Sequence, residues 1–150
     1  MFYSNAARQQ ITEASEGLRL TAYPDPGTGG HPWTIGFGHT DGVAQGDSCT
    51  LAEADAWLEE DISGSEDEVN DLVKVPLTQA QFDALVDFCF NAGSGNLEHS
   101  TLLRKLNTGD YAGADQEFQK WVMGGGHRLP GLVTRRQLEA NWFNTGSTHG

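Results

Sequence analysis

The chain has 150 residues and two cysteines, a length that suits one domain with its own core and too few cysteines for a disulfide framework. Its formal net charge is −12, with 9 Lys and Arg against 21 Asp and Glu; this argues against a nucleic-acid partner, because phosphate binding requires clustered basic side chains. No apolar run is long enough to span a membrane, so we expect no stable membrane insertion.

The first predicted element is an amphipathic helix over about residues 4–18, which Gly17 brings to its end. Its apolar face is expected to carry Ala7, Ile11, Ala14 and Leu18. Residues 21–43 are rich in Gly, Pro, aromatic and β-branched side chains, and the short runs at 20–23 and 33–39 are typical of small strands around turns. This segment predicts a small β lobe.

Two capping boxes, in which a threonine is followed three residues later by Glu or Gln, predict the next two helices. The helix after Thr50 is expected to run towards Pro76, and the helix after Thr78 is expected to end at Gly93. Three shorter helices are predicted at about residues 100–106, 110–122 and 130–143.

One helix, a small sheet and then only helices predict an α+β fold, in which a small N-terminal β lobe and a larger C-terminal helical lobe flank a cleft. We expect residues 1–150 to form one such domain. Nine of the acids lie between residues 53 and 71 without a Lys or Arg among them. They predict a solvated helix face, because they lack the Asp/Asn–Gly spacing of a calcium loop.

Glu16, Asp25 and Thr34 stand at nine-residue intervals: at a helix end, in a Gly/Pro-rich turn and at the start of a strand. Taken singly, each has an ordinary reading, as a solvated helix-end Glu, a turn-forming Asp and a strand Thr. Together in a cleft they suit glycoside hydrolysis. That reaction needs an acid that protonates the leaving oxygen and a second group that positions or activates water on the other face of the sugar.

The run from Glu16 through Asp25 to the segment Thr34-Ile-Gly-Phe-Gly-His-Thr resembles the phage-type lysozyme family, glycoside hydrolase family 24. Further segments similar to that family follow at residues 76–86, 90–95, 100–107 and 131–136, so the resemblance covers about residues 10–143. It implies a lysozyme-like fold and an endolysin of bacterial peptidoglycan. The expected activity is hydrolysis of the β-1,4 bond between N-acetylmuramic acid and N-acetylglucosamine by a monomer, without a cofactor.

The resemblance also implies a role for each site residue. Glu16 is the general acid, Asp25 the second carboxylate and Thr34 the water-positioning hydroxyl, with Thr28 as an alternative because the loop after Asp25 is longer than in the shortest family pattern. An arginine of the last helix, Arg135 or Arg136, pairs with the acid.

Sugar contacts are expected from the far wall of the cleft and from the β lobe. The residues concerned are His39, Phe90, Asn91, Ser100 and Thr101. A role in holding the β turn is favoured for His39, and a core or helix-cap role is the alternative for the other four.

Other readings of the sequence give different chemistry. His31, His39 and Cys49 suggest a zinc amidase, but their spacing fits no compact ligand pattern, and no metal site is expected. A lytic transglycosylase cuts the same bond without water, and a non-catalytic wall-binding module has no use for Glu16.

A Cys49–Cys89 bridge stays open, although a buried Cys89 thiol is the simpler reading. The opening residues lack the apolar core of a secretory signal. For a chain without such a signal, the family resemblance implies accumulation in the host cytoplasm until a separate membrane-permeabilising protein gives access to the wall.

Overall fold

The computed structural model describes residues 1–26 and 28–149. Its first helix, α1, is built from three consecutive segments: α-helical Asn5–Ala7, π-helical Arg8–Glu13 and α-helical Ala14–Glu16. The wider π turn changes which side chains of α1 face inwards.

The buried face of α1 differs from the predicted one. Ala7 and Ile11 are buried as expected, but Ala14 and Leu18 are exposed, and Thr12 is buried in their place. A regular period of 3.6 residues predicts the wrong buried face here. A π-helical turn contains more residues than an α-helical turn, so the residues that point inwards are spaced further apart. The helix stops before Gly17, whose φ of 68° does not continue a right-handed helix.

The β lobe consists of two short antiparallel strands, β1 (Arg19–Tyr23) and β2 (Thr34–Gly36). Backbone bonds in both directions between Ile35 and His39 close a tight turn directly after β2, and the Cys49 amide donates to the Leu20 carbonyl. This small sheet confirms the predicted β lobe, which follows α1 in the chain.

Six α-helices follow in the described part of the chain, and the two capping boxes begin the first two of them. They are α2 (Leu51–Leu72), α3 (Gln79–Ala92), α4 (Ser94–Glu98), α5 (Thr101–Asn107), α6 (Tyr111–Glu117) and α7 (Pro130–Thr145). Helix α3 lies at the centre, with every residue from Phe82 to Cys89 buried, and packs between α2 and α7. The mixed architecture with a mainly helical body is the α+β class that the sequence predicts.

The predicted helix over residues 110–122 is too long. Helix α6 ends at Glu117 and is followed by a 3₁₀ turn, Phe118–Lys120, and then by a hairpin of β3 (Met123–Gly124) and β4 (His127–Arg128). The chain reverses at two glycines between these strands, both with positive φ, a conformation in which side chains are strained. The short helix α4 was not predicted.

Both cysteines of the structure are free thiols, so the Cys49–Cys89 bridge is not formed. Cys89 packs into the core, and burial raises its pKa to about 11, which keeps the thiol neutral. No helix in the described part of the chain is both long and apolar enough to cross a membrane. The same residues include no group of three or more His, Cys, Asp or Glu arranged to hold a metal ion.

Candidate active site

A cleft of about 730 Å³ lies between the β lobe and the helices α2 and α3. It brings together the side chains of Glu16 from the end of α1, Asp25 from the loop after β1 and Thr34 from the start of β2. Phe90 and Asn91 line its far wall. Five of the nine residues predicted for the site therefore share one cavity, while Ser100 lies outside it as the N-cap residue of α5.

The Glu16 carboxyl group lies against Gly38, in the turn after β2. A Cβ atom at Gly38 would stand only 2.8 Å from the Glu16 Cδ atom, well inside van der Waals contact. Gly38 also has a φ of 80°, which favours glycine. The lack of a side chain at Gly38 therefore makes room for the Glu16 carboxyl group.

On its other side Glu16 is held by Arg135 of α7. The Arg135 Nη1 atom donates to Glu16 Oε1 at 2.5 Å, and both side chains are mostly shielded from solvent. Arg136 points elsewhere, donating to Asn91 Oδ1 and lying over the Phe88 ring. Of the two arginines that the sequence offers, Arg135 is the one that contacts the acid.

A fully buried carboxylate, Asp87 of α3, completes the surroundings of Arg135. Its two oxygens accept from Arg135 Nε at 3.0 Å and from Nη2 at 2.8 Å. Burial alone would raise the pKa of Asp87, but the Arg135 guanidinium outweighs it and holds that pKa well below its usual range. The pKa of Arg135 is raised in turn, because its acidic neighbours outweigh the effect of burial.

The loop between β1 and β2 holds Asp25 and separates the two candidate hydroxyls. Asp25 Oδ2 accepts from the Thr28 amide at 3.1 Å, while the Thr28 hydroxyl donates to the His31 carbonyl at 2.6 Å. Thr34 lines the cleft and Thr28 does not. Gly27 of this loop lies outside the described residues.

His39 packs beneath the cleft and does not line it. Its Nδ1 atom lies 2.9 Å from Asp61 Oδ2, and its ring stacks on Trp57 with centroids 4.8 Å apart. These contacts connect the turn after β2 to α2. They agree with the role in holding the β turn that the sequence favours for His39. Asp61 and Ser65, one helical turn apart on α2, do line the cleft and were not predicted.

The structure does not bring Thr101 into the cleft. This residue begins α5, and its hydroxyl accepts from Arg104 Nη2 at 3.0 Å. Position in the first turn of a helix explains its polarity without a ligand.

Tyr23 is a cleft residue that the sequence analysis missed, and its pKa is raised by burial and by the nearby Glu16. The signal for it was its place between Glu16 and Asp25 at the end of a predicted strand.

Comparison with known proteins agrees with this geometry. A family model described as phage lysozyme matches residues 13–139. The endolysin of Acyrthosiphon pisum secondary endosymbiont phage 1 is 46% identical over 134 residues, which cover 87% of this chain and 90% of that protein. The endolysin of Bacillus phage PZA is 41% identical over 138 residues, covering 91% of this chain but 53% of that protein, so the chain spans about half the length of this relative.

Among solved structures, the muramidase domain of SpmX from Asticaccaulis excentricus superposes with a TM-score of 0.85 at 39% identity. The match covers 95% of this chain and 97% of that domain. The similarity therefore extends over both the β lobe and the helical body.

Proposed function

The chain belongs to the phage lysozyme family and is a glycoside hydrolase of bacterial peptidoglycan, and we propose that it cleaves the β-1,4 bond between N-acetylmuramic acid and N-acetylglucosamine. The observation that carries this proposal is the meeting of Glu16, Asp25 and Thr34 in one cleft. A helix end, a turn and a strand supply one group each, and such convergence suits a reaction at a single bond.

In the proposed mechanism Glu16 is the general acid. Its proton passes to the glycosidic oxygen as the bond to the anomeric carbon breaks, and Arg135 fixes the orientation of the carboxyl group. Water attacks the anomeric carbon from the opposite face, oriented by the Thr34 hydroxyl, and gives its proton to Asp25. Glu16 then takes up a proton from solvent and Asp25 releases one, so that both carboxyl groups return to their starting states.

We assign the sugar contacts to Phe90 and Asn91, which supply an apolar face and an amide on the far wall. Asp61 and Tyr23 extend this surface on the other sides of the cleft. His39 supports the floor through Asp61, and we place Thr101 outside the binding surface.

Product analysis tests the proposed bond and chemistry. Purified peptidoglycan is digested, reduced with borohydride and analysed by mass spectrometry, with Glu16→Gln as the control. Hydrolysis is expected to give reduced muramic acid ends, which the control lacks. Anhydromuramic ends would identify a lytic transglycosylase, and reduced glucosamine ends would show that the other glycosidic bond is cut.

The remaining proposals concern the whole protein. We propose that residues 1–150 act as one lysozyme-like domain, as a monomer and without a nucleic-acid partner or cofactor. We also propose that it accumulates in the host cytoplasm and reaches the wall through a separate membrane-permeabilising protein. Fractionation of infected cells before and after permeabilisation tests this location; early appearance in the periplasm would contradict it.

A further inference from the structure

The contacts of Arg135 form a closed ring that begins and ends on α1. Arg135 donates to Glu16 and to Asp87, and Asp87 Oδ1 in turn accepts from the Thr12 hydroxyl at 2.6 Å. Thr12 lies four residues before Glu16 on the same helix. The Tyr3 hydroxyl, 2.8 Å from the Thr12 oxygen, joins this ring from the N-terminal segment.

Asp87 determines the orientation of the Arg135 side chain, because the guanidinium group is planar. Two of its N–H groups are bound side by side by the Asp87 carboxylate, so the plane and rotation of the group are fixed. Nη1 is the nitrogen left to meet Glu16. A change at Asp87 would free Arg135 to rotate away from Glu16.

The charge of Asp87 matters as well as its shape. A general acid must carry its proton before the reaction, and a fully charged guanidinium beside it favours the carboxylate form. Asp87 binds the same guanidinium and offsets its charge in a fully buried site, where such interactions are strong.

The other charged groups around the ring are engaged or neutral. Arg136 of α7 points to Asn91, and Asp83 of α3 accepts from Ser4 and Trp142. The buried Glu139 carboxyl lies 3.0 Å from Arg136 Nε, and its pKa is raised well above its usual range by burial and by Asp87. Tyr3 and, on the β lobe, Tyr23 have pKa values raised by burial.

Building on the proposed role of Glu16 as general acid, we propose that Asp87 is a positioning residue for it. Asp87 fixes the Arg135 guanidinium against Glu16 and offsets its positive charge, so that the Glu16 carboxyl group is held in place for proton transfer.

Asp87→Asn tests this inference, because it removes the charge and preserves the shape. The rate of cleavage of a soluble peptidoglycan oligosaccharide is measured against pH. We expect the alkaline limb of the kcat profile to move to lower pH by about one unit, because Arg135 then favours ionised Glu16 more strongly. At pH 7.5 kcat should fall about tenfold, while KM stays within about twofold.

Asp83→Asn is the matched control. It removes the same charge one turn earlier on α3, from a buried residue with no hydrogen bond to Arg135 among the described contacts. Thermal unfolding should show a loss of stability, and the pH profile should keep its wild-type position. An equal shift in both variants would overturn the specific role of Asp87.

Thr12→Val separates position from charge. It removes the hydroxyl that holds Asp87 and leaves the carboxylate, so kcat is expected to fall without movement of the alkaline limb. If Asp87→Asn does not fold, Asp87→Ser serves in its place, with the same expected shift. A folded variant with a wild-type profile would refute the inference. Activity of Glu16→Gln would instead refute the proposed function on which it rests.

Discussion

Glu16 depends on a residue that has no side chain. Gly38 approaches its carboxyl group so closely that an added Cβ would overlap it. The Glu16 side chain is flexible enough to move aside, but movement would take the carboxyl group away from Arg135 and from the bond to be cut. The constraint at Gly38 therefore concerns function more than folding.

Replacing Gly38 by Ala is expected to reduce kcat about 10²-fold, because Glu16, the proposed general acid, is displaced. The positive φ adds a destabilisation of about 1–2 kcal/mol, which thermal unfolding should reveal as a moderate loss. Gly42→Ala is the control, since Gly42 has a similar φ of 70° and open space around it. Similar activities of the two variants would show that backbone strain, not contact with Glu16, causes the effect.

The two threonines of the loop are expected to respond differently to truncation. Thr34→Ala removes a hydroxyl that lines the cleft, and we predict a loss of at least about tenfold in kcat with little change in stability. Thr28→Ala breaks the bond to the His31 carbonyl and should affect mainly loop order and KM. Steady-state kinetics of both variants decide the matter; a larger kcat loss for Thr28→Ala would reverse the assignment.

The sequence predicts the membership of some site residues in the cleft better than that of others. Glu16, Asp25 and Thr34 lie within one short segment, so spacing and resemblance together locate them. Arg135 meets Glu16 from a position 119 residues further along the chain. Residue types alone did not separate Arg135 from Arg136, because that depends on the rotation of α7 about its axis.

The spacing of the apolar residues in α1 did not predict its π-helical turn. This turn directs Thr12 inwards against α3, where the Thr12 hydroxyl meets Asp87. A period of 3.6 residues per turn predicts only apolar residues on the inner face of α1. It therefore did not predict that Thr12 points inwards or that it forms a polar contact with α3. The capping boxes before α2 and α3, in contrast, are local signals, and both helices begin where they predict.

The packing of α7 on α3 buries Glu139. This burial makes the stability of the fold depend on pH. The raised pKa of Glu139 means that folding retains a proton that the unfolded chain releases above about pH 4.3. Glu139 therefore contributes most to stability below that pH. The contribution declines by about 1.4 kcal/mol per pH unit as the pH rises towards the folded-state pKa.

We predict that Glu139→Gln reduces the pH dependence of stability, because glutamine releases no proton on unfolding. Relative to the wild type, the variant should gain stability steadily between about pH 5 and 8, as measured by urea unfolding. The lowered pKa of Asp87 affects stability only at more acidic pH. Parallel curves for the two proteins would show that Glu139 is ionised in the folded state, paired with Arg136.

For the whole molecule, the order of elements sufficed to predict two lobes and a cleft, because local patterns determine each element. The hairpin after α6 escaped prediction, since its strands have two residues each and are defined by a glycine turn. The acidic helix after Thr50 was expected to lie away from the glycan groove or along its rim. The structure places one of its acids, Asp61, in the cleft itself.

The net charge of −12 predicts an unusual response to salt. Peptidoglycan carries carboxylates, so the protein and the wall repel each other at long range. Between 0.01 M and 0.1 M salt the Debye length falls from about 30 Å to about 10 Å, which should screen this repulsion before contacts inside the cleft weaken. Lysis is expected to speed up several-fold over this range; steady inhibition by salt would contradict the account.

A triple variant tests the origin of that response. Lysine replaces Glu60, Asp67 and Asp71, three exposed acids of α2, while Asp61 and the Arg8 partner Glu59 are kept. The salt dependence of lysis should become flatter, and turnover of a short soluble oligosaccharide should not change. A reduced turnover would indicate that the variant disturbs the cleft and not the long-range field.

The most direct test of the central claim is the rate of glycosidic bond cleavage by Glu16→Gln. Glutamine keeps the size of the side chain and an oxygen that can accept from Arg135, but it has no proton to donate as an acid. We expect an unchanged thermal unfolding curve and a loss of at least about 10²-fold in the release of new reducing ends from purified peptidoglycan. Release at a near-wild-type rate would show that Glu16 is not the general acid.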